Sequence, residues 1–123
     1  MLKIGNNKIT GFYEYSEFPK SLNYDIDFNF KNDKIYTEII FDPDTNNGNY
    51  IHLLRVNNND IIFLYISPNP PNGIHRYYVL IYEQENIINN TNIKNRSFFD
   101  IDNFVKKNKL HEVSSNMFKV SKN

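Results

Sequence analysis

The feature that most constrains the fold is a series of short runs rich in β-branched and aromatic residues, separated by clusters of Asn, Asp and Pro. Apolar and polar residues alternate between 24 and 31, the pattern of a strand with one face toward solvent. Runs at 34–41, 51–56, 61–66 and 76–83 also have strand composition. The last is apolar on both faces, as in a central strand. These patterns predict a mainly β chain that forms an antiparallel β-sandwich.

One segment has the spacing of a helix. Ile101, Phe104 and Val105 fall on one side of it, and Asp100 or Asp102 provides a candidate N-cap. We therefore predict a single short helix near the C-terminus.

Turn-forming residues mark the ends of the predicted strands. Pro43 is expected to end the 34–41 run, since proline cannot donate to a strand ladder. Residues 57–60 have the composition of a turn, and 86–95 are expected to form an exposed loop.

Length and charge limit the class of protein. With 123 residues the chain is expected to be one domain over 1–123 with a single core. The formal net charge is zero, so no overall field attracts nucleic acid or an anionic membrane. No apolar run approaches the ~20 residues needed to span a bilayer, and the first seven residues lack the apolar segment of a signal peptide. We expect a cytoplasmic protein with no nucleic-acid partner and no stable membrane insertion.

Residue usage adds two further points. The chain has no cysteine, which excludes a disulfide framework and a thiolate site. Its bias toward Asn, Ile, Lys, Tyr and Phe suggests a coding sequence rich in A and T, as in large cytoplasmic DNA viruses and some unicellular parasites. For a viral protein, the expected location is the host cytoplasm or the virion.

Potential ligand-binding side chains occur near the ends of three predicted strands. Asp42 follows the 34–41 run, His52 lies in the next one, and His75 comes shortly after the stiff Pro70-Pro71 pair, either of whose X-Pro bonds could be cis. Strand alternation predicts that one face of the earlier strand carries Tyr50, His52, Leu54 and Val56. It predicts that one face of the later strand carries His75, Tyr77, Val79 and Ile81. If these faces meet, two imidazoles and a carboxylate share a corner that suits a zwitterion or a phosphate ester.

Each of these residues also has a purely structural explanation. A single histidine in a strand flanked by leucine, as His52 is, is more often a satisfied core or edge residue than a ligand. Asp42 and Asp44 flank a proline and could cap nearby amides in a turn. Arg76 lies on the opposite face of its strand, and we expect it to form a structural ion pair with Asp44 or Glu83.

The same residues could also serve a catalyst. A histidine and an aspartate can act as base and orienter, but no nucleophile has a local motif, since Ser67 precedes Pro68 and lacks a nucleophile elbow. His52, His75 and Asp42 could supply a metal site with two histidines and one carboxylate. A metal-dependent or His/Asp hydrolase is therefore an alternative. The expectation is a chain with no catalytic residue, no metal and no cofactor.

Several short motifs follow one another in an informative order. They are Phe-Asp-Pro-Asp at 41–44, Tyr-Ile-His-Leu-Leu-Arg-Val-Asn at 50–57, Pro-Pro at 70–71, Gly-Ile-His-Arg-Tyr at 73–77 and Tyr-Glu-Gln at 82–84. Farther along the chain come Arg96, Phe99, Phe104 and Leu110. From about Ile35 to Phe118 this order resembles the phosphatidylethanolamine-binding protein family, which includes the Raf kinase inhibitor proteins and the florigens.

The resemblance implies a β-sandwich with a small anion pocket for phosphate or phosphoethanolamine-like groups. It also implies a protein without catalytic activity that binds and regulates a protein partner, such as a kinase or transcription factor. The ligand-binding residues that it implies are Asp42, Tyr50, His52, Asn69, Pro70, His75 and Tyr77. Asp44 and Arg76 would have structural roles beside the pocket.

The sequence departs from the family's pattern at several points. Thr45-Asn46 replaces Ala-Pro after the Asp-Pro-Asp motif, and Ile51 replaces the first His of the second motif. The family's C-terminal helix has no counterpart after Val120. We therefore expect a shallower or more open pocket. An alternative is a structural or interaction protein with a vestigial pocket, in which the carboxylate and the two imidazoles form an internal hydrogen-bonded cluster.

Overall fold

The chain folds into two β-sheets with one helix. The computed structural model describes residues 1–89 and 92–123. Its strands are β1 (Leu2–Ile4), β2 (Asn7–Lys8), β3 (Gly11–Glu14), β4 (Tyr24–Ile26), β5 (Ile35–Thr45), β6 (Gly48–Val56), β7 (Asp60–Phe63), β8 (Gly73–Gln84) and β9 (Leu110–Lys122). A 3-10 turn covers Tyr15–Glu17, and helix α1 covers Ile101–Lys107.

The strand order confirms the predicted architecture. The larger sheet has the order β3-β9-β8-β5-β6-β7, and the smaller sheet has the order β2-β1-β4. The paired strands are antiparallel except for β3 and β9, which run parallel. Strand β8 lies between β5 and β9, as its apolar composition predicts. The fold is thus a mainly β sandwich with a short helix near the C-terminus.

Both faces of the larger sheet are covered. Between the sheets, side chains from β1 and β4 pack against the larger sheet in a core that includes Leu2, Ile4, Ile26, Ile40, Leu53, Tyr77, Val79, Phe118 and Val120. On the opposite face, Ile101 and Phe104 of α1 share a second core with Leu80 and Tyr82. This two-sided burial holds the central strands in place at the pocket described below.

Strand β5 continues through Pro43 to Thr45, so the prediction that Pro43 ends it was wrong. Pairing between β5 and β8 ends at Phe41 and Tyr78, and pairing with β6 is irregular between Asp42 and Thr45. Pro43 therefore lies where the ladder requires no N–H, a position at which strands tolerate proline.

Two other predicted strands are shorter than expected. Only Tyr24–Ile26 of the 24–31 run is a strand, because Phe28 and Phe30 leave the sheet and pack edge-on against Tyr36. The 61–66 run is a strand only over Asp60–Phe63.

The longest strand, β9, was not predicted from the sequence. It pairs with β8 along its length, from Leu110 opposite Gln84 to Lys122 opposite Gly73. Much of β9 is polar and exposed, and its buried positions are concentrated toward its C-terminal end. Its partner strand, more than its own pattern, fixes its conformation.

The helix prediction is confirmed. Asp100, not Asp102, is the N-cap, and its Oδ1 accepts a hydrogen bond from the backbone N of Asn103 at 3.0 Å. At the C-terminal end, the side-chain amide of Asn108 donates to the carbonyl of Phe104 at 3.0 Å.

The connecting segments agree with their composition. Residues 57–59 form a turn in which Asn57 and Asn58 adopt positive φ values of 54° and 66°, a conformation that Asn tolerates better than most residues. Of the predicted 86–95 loop, residues 86–89 and 92–95 contain neither helix nor strand, and residues 90 and 91 lie outside the described residues. In the described ranges, no helix is long and apolar enough to cross a membrane.

Candidate functional site

A cavity of about 370 Å³ opens at the edge of the larger sheet where β5, β6 and β8 meet. It is called the anion pocket below, after the ligand that the sequence resemblance implies, and its residue types are those of a polar ligand site on an apolar base. Its lining residues are Asp42, Thr45, Asn46, Asn47, Tyr50, His52, Ile66, Ser67, Asn69, Pro70, Pro71 and Tyr77. Its volume lies near the lower end of the range for small-molecule sites, roughly 300–1,000 Å³.

Asp42 is a buried carboxylate with defined partners. Its Oδ2 accepts a hydrogen bond from His75 Nδ1 at 2.6 Å, and its Oδ1 accepts from the backbone N of Asp44 at 2.7 Å. The Asp42 side chain is 2% exposed and the His75 side chain 8%. His75 therefore lies behind Asp42 and is absent from the pocket lining, although the sequence predicted that it would touch the ligand.

His52 reaches the pocket because β6 contains a bulge at this residue. Ile40 pairs with Leu53 and Phe41 pairs with Ile51, so His52 is the extra residue of its strand. A bulge of this kind redirects side chains near a site.

The bulge also corrects the predicted faces of β6. Leu53 joins the core between the sheets, whereas Leu54 and Val56 join the core beneath the helix. Tyr50 and His52 do share a face, but Leu54 and Val56 do not lie on it, because the bulge breaks the strand's two-residue period.

The hydrogen bond of His52 fixes its tautomer when it is neutral. Its Nδ1 lies 2.7 Å from the carbonyl O of Ile66, and a carbonyl can only accept, so Nδ1 carries a proton. The neutral ring therefore has its lone pair on Nε2. Burial lowers the pKa of His52, and the hydrogen bond to Ile66 and the charge of Asp42 oppose that shift.

Aromatic rings fix the orientation of the imidazole. Tyr50 and Tyr77 both pack edge-on against His52, with ring centroids 5.4 Å and 5.2 Å away. Burial, and secondarily the charge of Asp42 and a hydrogen bond to it, raises the pKa of Tyr77, so this phenol stays protonated.

Two hydroxyl groups are buried beside the pocket. In the described structure the hydroxyl oxygens of Tyr65 and Ser67 make no well-formed hydrogen bond and expose almost no surface. The two side chains interact with each other, and Ser67 moderates the pKa of Tyr65, which burial raises to about 12. Ser67 lines the cavity, but its hydroxyl oxygen is not accessible from it.

A pair of lysines approaches the pocket through Asn69, although neither lysine lines it. Lys122 donates to Asn69 Oδ1 at 2.8 Å, and its ammonium lies 4.2 Å from the centroid of the Tyr15 ring. Lys20 lies 3.4 Å from the same centroid, and burial together with the charge of Lys122 lowers its pKa. Pro70, which is buried, and Pro71 line the same side of the cavity, and both are preceded by trans peptide bonds.

Arg76 forms the structural ion pair expected from the sequence. Its guanidinium donates to both carboxylate oxygens of Asp44, at 2.9 Å and 2.7 Å, and its backbone N also donates to Asp44 at 2.8 Å. These bonds lower the pKa of Asp44 and raise that of Arg76. Glu83, the alternative partner, pairs with Lys34 instead.

Most of the predicted ligand-binding residues line the pocket, and several other lining residues were not predicted. Asp42, Tyr50, His52, Asn69, Pro70 and Tyr77 line one cavity. Thr45 and Asn46 were noted only as a departure from the family's motif, and Asn47 was not noted; all three reach the pocket because β5 extends into a tight turn. The sequence analysis considered Ser67 only as a nucleophile. Its position close to Pro70-Pro71 in the sequence could have indicated that it lines the pocket.

The residues expected for a metal site do not gather around one point. Within residues 1–89 and 92–123, no group of three or more His, Cys, Asp or Glu side chains is arranged to hold a metal ion. His52 Nδ1 is occupied by Ile66 O, and His75 Nδ1 is occupied by Asp42.

Solved structures share this fold. No protein-family model and no curated protein matches the chain. The phosphatidylethanolamine-binding protein from Plasmodium vivax superposes with a TM-score of 0.68 at 14% identity, over 93% of this chain and 78% of that one. The carboxypeptidase Y inhibitor, in its complex with the cognate proteinase, gives a TM-score of 0.63 at 21% identity, over 79% of this chain.

These likenesses establish the fold. The chain spans 64% of the length of the carboxypeptidase Y inhibitor. At identities of 14% and 21% the structures show that the fold resembles that of phosphatidylethanolamine-binding proteins, as the sequence predicted. The viral or parasite source suggested by composition stays a prediction.

Proposed function

We propose that this chain is a binding protein without catalytic activity, whose pocket holds a phosphate-bearing group from a phospholipid headgroup or a phosphorylated protein. The observation that carries the proposal is the convergence of three features in one cavity of about 370 Å³. They are the Asp42 carboxylate, the imidazole of His52, whose Nε2 makes no hydrogen bond within the described part of the chain, and the side-chain amide of Asn69.

The hydrogen-bond acceptors in the pocket favour one protonation state of a phosphate ligand. Asp42 and the Nε2 atom of neutral His52 both accept hydrogen bonds, so they disfavour a dianionic phosphate. A monoanionic phosphate ester can donate its P–OH to one of them while another of its oxygens accepts from the Asn69 amide. An ammonium group on the same ligand would add an attraction to Asp42, which favours phosphorylethanolamine.

Two lysines outside the lining support an anionic ligand. Lys20 and Lys122 lie against one tyrosine ring, and within the described ranges neither forms a salt bridge with a carboxylate. Because the chain as a whole has no net charge, this pair supplies a local field that attracts anions to the cavity. The contribution should weaken as ionic strength rises.

The open shape of the site supports a regulatory role. The pocket is open enough for a phosphorylated side chain of a protein, such as a kinase or another regulatory protein, to enter from solvent. The carboxypeptidase Y inhibitor shows that a protein of this fold can form a complex with an enzyme. A cytoplasmic site of action is part of the proposal, and the absence of cysteine accords with a reducing compartment.

Calorimetric titration of matched variants tests the proposal. Phosphorylethanolamine, phosphoserine and inorganic phosphate are titrated into the wild type, His52→Gln and Asp42→Asn, with His111→Gln as the control. His111 is exposed and pairs with Glu85, away from the pocket. We expect the first two variants to weaken phosphorylethanolamine binding at least tenfold, about 1.4 kcal/mol, and His111→Gln to leave it unchanged. Unchanged affinity in a folded double variant of His52 and Asp42 would overturn the proposal.

A vestigial pocket is the second candidate. The specific observation in its favour is that Asp42 and His75 are buried and already satisfy each other. In that case the Asp42–His75 pair stabilises the fold, and a protein partner binds another surface. Absence of any measurable heat with the three ligands, together with destabilisation of Asp42→Asn, would select this candidate.

A further inference from the structure

Two lysines share one tyrosine ring beside the anion pocket. The Lys20 ammonium lies 3.4 Å from the centroid of the Tyr15 ring, and the Lys122 ammonium lies 4.2 Å from the same centroid. The two ammonium nitrogens are therefore within about 8 Å of each other, a distance at which their charges repel. The ring attracts each cation, but it does not cancel this repulsion. Lys20 and Lys122 are called the lysine pair below.

The lysine pair has no negative partner in the described structure. Within residues 1–89 and 92–123, neither ammonium lies within salt-bridge distance of a carboxylate. Burial, and secondarily the charge of Lys122, lowers the pKa of Lys20. The folded chain thus holds two repelling cations together, and an anion bound between or beside them would relieve the repulsion.

Both ammonium groups have N–H donors left for a ligand. Lys20 donates to the carbonyl of Tyr15 at 2.5 Å, and Lys122 donates to Asn69 Oδ1 at 2.8 Å. An ammonium carries three N–H donors, so two remain on each lysine. Lys20 is exposed and Lys122 is half-buried, so a ligand can approach them from solvent. Because both side chains are already restrained by these contacts, ligand binding costs less conformational entropy.

Asn69 connects the lysine pair to the anion pocket. It lines the pocket, and its Oδ1 accepts the hydrogen bond from Lys122. Its side-chain N–H₂ group, which donates to the phosphate in the proposed function, makes no hydrogen bond within the described part of the chain. A phosphate oxygen on that nitrogen and the Lys122 ammonium would be separated by two hydrogen bonds and one amide group, about 8 Å at most.

This spacing matches an extended peptide. Alternate side chains of an extended chain lie on the same side, and two residues advance about 7 Å. A phosphorylated residue whose phosphate occupies the pocket would therefore bring the side chain two positions away toward the lysine pair. A carboxylate at that position would meet two cations. A zwitterionic headgroup gains no such attraction, because its second charge is positive.

We propose that the lysine pair binds an acidic side chain of a phosphorylated protein partner, two residues from the phosphorylated residue that the anion pocket holds. This inference rests on the proposed function, because the phosphate must occupy the pocket. The lysine pair then selects among phosphorylated segments, since those with an acidic residue at this position bind more tightly. The charges are accessible to solvent, so the preference should decrease as ionic strength rises.

Two phosphopeptides that differ only in flanking charge test the proposal. One is acetyl-Glu-Ala-phosphoserine-Ala-Glu-amide, and the other has Gln in place of both Glu residues. Acidic residues on both sides allow for either direction of the bound peptide. Calorimetry at pH 6 and low ionic strength should show at least threefold tighter binding of the Glu peptide. Equal affinities overturn the inference and leave the proposed function standing, whereas failure of both peptides to bind overturns the two together.

Variants assign the preference to the lysine pair. Lys20→Gln and Lys122→Gln should each reduce the ratio of the two affinities at least twofold. Lys20→Gln leaves the contact between Lys122 and Asn69 in place, so its effect does not require Asn69 to move. Lys106→Gln removes the same charge from helix α1, on the opposite face of the larger sheet, and should keep the ratio. An unchanged ratio in both lysine-pair variants, or an equal loss in Lys106→Gln, overturns the assignment.

An anionic membrane is the other surface that two lysines could contact. Cosedimentation with phosphatidylserine vesicles compares the wild type with Lys20→Gln and Lys122→Gln. We expect the three proteins to bind the vesicles equally. Reduced vesicle binding by these variants, together with a wild-type ratio of peptide affinities, would assign the lysine pair to a lipid surface and overturn the inference.

Discussion

His52 connects the interior of the sandwich to the pocket. Its Nδ1 donates to Ile66 O, its ring packs against two tyrosines, and burial lowers its pKa. The fold therefore favours the neutral ring. A monoanionic phosphate that donates its P–OH to Nε2 also requires the neutral ring, because the protonated ring has no acceptor. Stability and the proposed binding thus make the same demand on this one side chain.

The lowered pKa of His52 predicts how stability depends on pH. As pH falls below about 6.5, the unfolded chain takes up a proton on this residue before the folded chain does. The free energy of unfolding should therefore fall with pH from about 6.5 down to the folded pKa, and this contribution should be constant above 6.5. Urea unfolding between pH 5 and 7.5 measures the slope. His52→Gln should reduce the slope and His111→Gln should retain it; equal slopes in wild type and His52→Gln would contradict the assignment.

At the scale of elements, the turn between β5 and β6 carries part of the pocket. Gly48 closes this turn with φ +64°, and an added Cβ would lie 3.0 Å from the Phe98 side chain. Thr45 also closes it by donating its hydroxyl to the carbonyl of Gly48 at 2.6 Å. Residues 45–47 line the anion pocket, so the shape of the turn affects the ligand directly.

Replacing Gly48 tests this link between turn and pocket. Gly48→Ala should lower the free energy of unfolding by about 1 kcal/mol or more, because alanine is strained at positive φ. It should also weaken phosphorylethanolamine binding. Asp100→Ala is the matched control, since loss of the helix cap also costs about 1 kcal/mol but lies outside the pocket. Urea unfolding measures the stability of both variants, and calorimetry measures their affinity for phosphorylethanolamine. Equal affinities of Gly48→Ala and Asp100→Ala would show that the turn does not shape the site.

Elements with a strong local pattern could be predicted, and those that depend on a partner strand could not. The two-sided apolar run of β8 and the capped helix after Asp100 follow from local sequence. Strand β9 did not, because its polar sequence gains its order from β8. The bulge at His52 was also invisible, since it arises from the register between β5 and β6. The strand face of Arg76 predicted a structural ion pair but left its partner open between Asp44 and Glu83, and the structure shows Asp44.

At the scale of the whole molecule, a row of stacked rings joins the core to the pocket. Phe118 lies between Phe18 and Tyr77, with parallel ring pairs at centroid distances of 5.6 Å and 5.3 Å. Tyr77 in turn packs against His52 and lines the cavity. Core packing therefore sets the base of the site.

A cavity made in this row should affect both stability and binding. Phe118 is 1% exposed, so Phe118→Ala should lower the free energy of unfolding by about 3–5 kcal/mol, a large share of the 5–15 kcal/mol typical of a domain. The loss of ring contact should let Tyr77 shift and weaken phosphate binding. Thermal unfolding measures the first effect, with Phe12→Ala as the control, since Phe12 is 51% exposed. A cost below about 1 kcal/mol for Phe118→Ala would contradict the packing described.

Titration of the ¹⁵N-labelled protein with phosphorylethanolamine at pH 6, followed by two-dimensional NMR, tests the proposed function most directly. We expect saturable shifts concentrated at Asp42, His52, Ser67 and Asn69, and a smaller response to ethanolamine, which lacks the phosphate. No saturable shift at millimolar phosphorylethanolamine, or shifts scattered away from these residues, would contradict a functional phosphate pocket and favour the vestigial one.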